Sequence, residues 1–437
     1  MKQYYAHMNI YQSDPEVACS STADPNSFAY VACTKRWPDI IRDAADDIEQ
    51  GGERRGDAEA KKIAGRIRDL AHDLETDAPI EPFEHGLSGV TEYNDELGRL
   101  GCVSWLNCKW LFAECYIYRY IACLFAESTH WKGYDVFENA KRGAFTSSSK
   151  AVDELATRFM ELREELHSKE GNEQQKKLLF VEILEICLWG NATDLSLLGT
   201  LDMAQLANRQ GRQAIKKSQK NIIDNDIDAL WKDVATFNHK RVDIILDNAG
   251  FELFADLLFA SFLIESGMAS TVVLHPKDFG WFVSDVTMND IKGLLGQMKD
   301  MNVDKITKLA EYWEGLFASR QFETFEHSFW TTAHPYCRMP YAAPDLLKEL
   351  QKSDLVVFKG DLNYRKLTGD VHWPSTTPFH GAIGPLRQQG LRVLTLRTNK
   401  ADVCVGLEPG MEERLDKEAG GPAWRRSGKY AVISYCN

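Results

Sequence analysis

The chain has 437 residues, of which 44% are hydrophobic and 26% charged, and its 64 acidic against 51 basic side chains leave a formal net charge of -13. That balance excludes a general nucleic-acid or anionic-membrane surface, since both demand a basic field, but it leaves room for a pocket with a few local cations. The composition is that of an ordinary globular protein, and the length exceeds one ordinary core, so two domains or one large α/β core with a helical extension are expected.

Residues 1–25 hold Asp14, Glu16 and Asp24 and no apolar run, unlike a secretory signal, so a cytoplasmic chain is expected, with nuclear access left open. From residue 27 to about 237, apolar positions recur three and four apart between charged runs such as 43–59 and 154–177, which predicts helices with solvated outer faces. Residues 79–91 and 133–149 read as loops. Residues 105–125, rich in Trp, Tyr and Cys, predict a helix buried on most sides; Glu114 and Arg119 interrupt it, and it is too short to span a bilayer. The ten cysteines contain no CxxC pair and read as reduced core thiols.

After Lys240 the period changes. Short β-branched runs at 242–246, 271–274, 355–358, 392–396 and 430–434 alternate with helical stretches such as 251–265 and 303–317. This alternation predicts an α/β/α core with a mainly parallel sheet over residues 238–437, and a helical N-terminal domain, residues 1–237, packing on it as a cap.

In such sheets ligands bind beyond the carboxyl ends of the strands, so those positions carry the candidates. The first run closes as Asp247-Asn248-Ala249-Gly250-Phe251-Glu252, where Asp247 and Asn248 offer hard oxygen ligands suited to Mg²⁺ or Mn²⁺ and Glu252, in the first helical turn, faces the same mouth. Beyond the second run Asp285 offers a third oxygen. The third ends in Lys359-Gly360-Asp361-Leu362-Asn363-Tyr364-Arg365-Lys366, and the fourth in Arg397-Thr398-Asn399-Lys400. Taken singly, an Asp-Asn pair before Gly is ordinary turn chemistry, and Asp285 reads as a helix cap. Acids and cations accumulating at successive strand ends fit a divalent ion together with a phosphate, with Arg365, Lys400 and the backbone amides after Gly360 holding phosphoryl oxygens.

The same segments, with the Trp-Leu-rich stretch 105–119 and residues 188–197, resemble the signature blocks of the DUF89 damage-control phosphatases, and Arg397-Thr398-Asn399-Lys400 matches the RTxK motif of subfamily III. The resemblance implies that Asp247, Asn248 and Asp285 bind the metal, and that Glu252, Asp361, Leu362, Asn363, Tyr364, Arg365 and Lys400 contact substrate. It further implies activity on small phosphorylated metabolites, hexose phosphates such as fructose 1-phosphate above all, with Mn²⁺, Ni²⁺, Co²⁺ or Mg²⁺ as cofactor.

On this reading Asp361 or Asp247 accepts the proton of the attacking water, and Glu252 or Asn363 orients the sugar or that water. Relatives have also been described as S-adenosylmethionine-dependent protein-glutamate carboxyl methyltransferases, but the turn after the first strand holds one Gly where a nucleoside cofactor normally meets a Gly-rich turn. Residues 330–336 and 373–379 are expected to line or lid the pocket, His327, His334, His372 and His380 form no metal-type spacing, and Asn191 and Asp194 either reach the substrate or make buried polar contacts.

Overall fold

The computed structural model describes residues 10–84, 89–167, 173–191 and 219–437. Its centre is a seven-stranded sheet of β1 (Ile222–Asn225), β2 (Lys240–Ile245), β3 (Ala269–His275), β4 (Phe322–Thr324), β5 (Leu355–Lys359), β6 (Val393–Thr398) and β7 (Ala431–Cys436), ordered β1-β7-β6-β5-β2-β3-β4. All neighbours run parallel except β6 and β7. From β2 the chain moves outward to β3 and β4, then returns to lay β5 on the other flank of β2. The crevice between β2 and β5 is therefore the point where the strand order reverses, the standard place for a ligand in an open α/β sheet.

Alternate residues of each central strand enter different cores. Val242, Ile244, Val272, Leu274, Val357 and Leu394 pack on one face, while Ile245, Val356, Phe358, Val393 and Val432 pack on the other. Burial on both faces is why these strands read as continuous apolar runs. A third core belongs to the N-terminal helices, chiefly α1 (Trp37–Arg55), α2 (Ala58–Glu75), α3 (Val90–Leu100) and α4 (Trp110–Glu127), and it takes in Trp281, Leu362 and Ala401 from segments above the sheet. Helix α4 is buried nearly all round, as its sequence predicts.

Several elements depart from the sequence reading. Strands β1 and β4, of four and three residues, are too short to show an alternation. Residues 138–147, expected as loop, form helix α5 (Glu138–Ser147), anchored by buried Lys141 and Phe145. Helices α6 (Ser149–His167) and α7 (Glu173–Trp189) share the core of the sheet, and β1 pairs with β7, so this core reaches back across the boundary set at 237/238. Helix α8 (Phe251–Glu265) is buried from Phe251 to Leu263, because α6 and α7 cover the face that would otherwise meet water.

Trp330, Tyr336 and Phe379, expected at a lid, are core residues. All ten cysteines are free thiols and eight are buried. Among the described residues no helix is long and apolar enough to cross a membrane.

Candidate active site

The β2–β5 register pairs Ile245 with Phe358, and two further steps bring Asp247 opposite Gly360. The approach is so close that a Cβ on Gly360, whose φ is +81°, would lie 1.8 Å from Asp247 Oδ2. Only glycine is compatible with that geometry. Asp247 is buried, and its Oδ2 accepts from Asn191 Nδ2 at 2.5 Å and from Asn248 Nδ2 at 2.8 Å. Asn248 Nδ2 also donates to Glu252 Oε2 at 2.7 Å, while Asn248 Oδ1 accepts from Ser284 Oγ at 2.5 Å.

Asp285 reaches this cluster through the loop after β3. Val286 N donates to Asp247 O and Ala249 N to Ser284 O, both at 2.7 Å, so a two-rung bridge lays Asp285 beside Asn248. Lys277 Nζ, fully buried, donates to Leu246 O at 2.6 Å and lies 3.1 Å from Asp285 Oδ2. Just upstream, Phe282 and Val283 hold φ of +46° and +69°, a region that a β-branched residue rarely enters. Strain of this kind is concentrated at functional sites, where the surrounding structure enforces it.

The far wall comes from β5 and β6. Asp361 opens helix α9 (Gly360–Thr368); its Oδ1 accepts from Arg397 Nε at 2.7 Å and Lys400 N at 3.0 Å, and its side chain keeps 14% exposure. Arg397 is sealed in the core with its other nitrogens on Val403 O and Ala401 O, so it positions Asp361 rather than facing the crevice. Lys400 Nζ donates to Asn191 O at 2.8 Å and also to Asn191 Oδ1. One amide, at the end of α7, thus spans Asp247 on one side and Lys400 on the other. Asp194 lies outside the described residues.

The structure brings Asp247, Asn248, Glu252, Asp285, Asp361 and Lys400 to one crevice, but four expected substrate contacts are turned elsewhere. Leu362 plugs into the helical core. Asn363 is buried, donating to Lys359 O at 2.7 Å and accepting from Tyr336 OH at 2.5 Å. Tyr364 OH accepts from Val405 N at 3.0 Å, beneath the Arg397 guanidinium. Arg365 donates to Glu114 Oε2 at 2.7 Å and Asp370 Oδ2 at 3.0 Å and stacks 3.7 Å over Trp110. Replacing Arg365 by Met should therefore lower stability by about 3–5 kcal/mol, the usual cost of leaving buried carboxylates unpaired. Thermal melts beside a KM measurement decide the matter: an unchanged melting temperature with a raised KM would return Arg365 to the substrate.

Acidic charge is crowded at the crevice. Burial, then the charges of Glu252 and Asp285, holds the Asp247 carboxyl well above the ordinary carboxylate range. Burial likewise pushes Asp285 up to about 6, against the pull of Lys277 and Lys141. Acids crowded in low dielectric are relieved by a divalent ion, and Asp247, Asn248 and Asp285 are hard oxygen donors of the kind that Mg²⁺ or Mn²⁺ takes. The carboxylates alone do not close a ligand set.

Among the His, Cys, Asp and Glu side chains of the described residues, only Asp57, Glu59 and His130 bring three potential ligand atoms, two carboxylate oxygens and a ring nitrogen, within 4.8 Å of one another. That trio is committed locally: Asp57 caps α2, and Glu59 accepts from the amides of Thr129 and His130. A cavity of about 380 Å³ lies behind the Asp285 loop, lined by Arg119, Phe137, Phe279 and Met288, and none of the expected site residues lines it.

Residues 32–415 match the model of the damage-control phosphatase ARMT1-like domain. Over 437 aligned residues the chain is 36% identical to damage-control phosphatase ARMT1 of Mus musculus, covering 95% of this chain and 97% of the mouse protein. The Homo sapiens protein of that name is 36% identical, with 96% and 98% covered, and the Danio rerio one 34% identical, with 94% of each covered. Among solved structures a DUF89 family protein from Pyrococcus horikoshii aligns with a TM-score of 0.42 at 13% identity, over 93% of this chain and 98% of that one.

Proposed function

The chain belongs to the damage-control phosphatase ARMT1-like family, and from that premise we propose that it hydrolyses small phosphate esters using a divalent ion held by Asp247, Asn248 and Asp285. Hexose phosphates such as fructose 1-phosphate are the expected substrates. The observation that carries the reading is the amide of Asn191, which touches Asp247 and Lys400 together and so holds an acid and a cation a single group apart. A phosphate ester needs both, cationic partners for its oxygens and an acidic wall for the ion.

When bound, the ion supplies Lewis-acid stabilisation of phosphoryl charge and makes water more acidic. Lys400 and the amides at the start of α9 take the remaining phosphoryl oxygens, the helix N-terminus adding its partial positive charge. Asp361, aligned by Arg397 and partly open to solvent, accepts the proton of the attacking water; Asp247, buried and given to the ion, is the less free of the two. Arg365 and Tyr364 hold α9 in place from behind.

The test is phosphate release by metal-stripped protein from a panel of sugar phosphates, with Mn²⁺, Ni²⁺, Co²⁺ or Mg²⁺ added back. Release should appear only with a metal and should be greatest with a hexose phosphate. Release that ignores chelation, or none from any ester, would overturn the proposal.

A further inference from the structure

Lys359, the last residue of β5, has no part in the chemistry described so far. It is wholly buried. Its Nζ donates to Cys187 O at 2.8 Å and Glu252 Oε1 at 3.0 Å and lies 2.8 Å from Asp256 Oδ1, so its three protons meet three acceptors. A fully desolvated ammonium is an expensive way to end a strand, and it persists where its geometry does something that an apolar residue could not.

What it holds is Glu252. With Oε1 fixed by Lys359, the other oxygen, Oε2, accepts from Asn248 Nδ2 at 2.7 Å and more weakly from Asn248 N at 3.4 Å. Asp247 Oδ2 accepts from the same Nδ2. Both contacts are to carboxyl oxygens that accept, so the NH₂ of Asn248 faces them and Oδ1 lies on the other side, where Ser284 Oγ meets it. An amide binds a hard cation only through its oxygen. Without a fixed Glu252 only Asp247 is left to hold the NH₂ face, and half a turn about the last bond of the side chain would present NH₂ in place of the ligand.

We propose that Lys359 is a positioning residue for the metal site: by anchoring Glu252 it locks the Asn248 amide with Oδ1 turned outward as a ligand. The inference rests on the metal-dependent reading above and extends it to a residue outside the expected contacts. The relay runs from Lys359 to Glu252 to Asn248, and Asp256 completes it by neutralising the buried ammonium. Partners one step removed from a metal typically govern its affinity by about 10–100-fold.

The experiment is a calorimetric Mn²⁺ titration of metal-stripped protein, wild type beside the double variant Lys359→Met/Asp256→Asn. Removing both charges spares the core a lone ammonium and a lone Asp256 but leaves Glu252 held only by Asn248, so the variant should still fold, with a melting temperature below wild type. Mn²⁺ should bind about 10–100-fold more weakly, and excess Mn²⁺ should recover much of the lost phosphate release, which a purely structural defect would not allow. Should the double variant fail to fold, Glu252→Gln, which leaves the Lys359–Asp256 pair in place, must show the same loss of affinity. Wild-type Mn²⁺ affinity in whichever variant is folded overturns the inference alone; failure of the wild type to bind Mn²⁺ overturns the proposed function beneath it.

Discussion

Asp247→Ala is expected to abolish phosphate release, lowering kcat/KM by at least about 10³-fold, while leaving the protein about as stable as wild type. The loss has two sources, a metal ligand and the acid that Asn191 ties to Lys400. The stability expectation runs opposite to the rule for buried polar residues. Asp247 gives up two amide hydrogen bonds when truncated, each worth about 1 kcal/mol, but its removal also relieves repulsion against Glu252 and Asp285 in a desolvated crevice. Phosphate assays run beside thermal melts separate the two effects. Retention of a tenth of the activity, or a large fall in melting temperature, would sink the assignment.

The second large effect is expected from Gly360→Ala. A methyl group there meets Asp247 Oδ2 at 1.8 Å and sits on a backbone with φ of +81°, so Asp247 must move or the start of α9 must unwind. Displacements of about 1 Å in a catalytic array cost on the order of 10²-fold, and left-handed strain adds about 1–3 kcal/mol to the instability. Gly369→Ala, at the other end of the same helix, is the matched control. Its φ is +78° and its nearest neighbour is Pro15, 3.1 Å from the added Cβ. Comparable destabilisation with activity kept in Gly369→Ala and lost in Gly360→Ala is the expected pair of results; equal activity in both would mean that the Asp247–Gly360 approach has no bearing on turnover.

Much of this arrangement was legible before any coordinates. The five longer strands announce themselves because burial on both faces leaves runs of β-branched residues, and the polar groups that close them stand out against that background. Six of the expected site residues meet at the crevice for the same reason: a strand end has one mouth. Leu362, Asn363, Tyr364 and Arg365 share a motif with Asp361, yet each step along a helix turns a side chain by about 100°, and a full turn carries it about 5.4 Å from the mouth. Neither the turning nor the partners Glu114, Tyr336 and Val405 can be read from adjacency.

The sequence around Lys359 does not mark it, because a lysine at a strand end usually points to water. A sign of it was nevertheless present: Asp256 lies inside α8, whose sequence is apolar on every face, and an acid there requires a buried cation. The strands β1 and β4 carried no such sign, being shorter than one clear alternation.

Trp281, Leu362 and Ala401 enter the core of the N-terminal helices from three different segments above the sheet, Lys141 of α5 holds the carbonyl of Asp285, and Glu114 of α4 holds Arg365. The helical region is consequently no interchangeable module. A chimera that kept the sheet and borrowed helices from another protein would lose these contacts, and with them the mortar between its own segments.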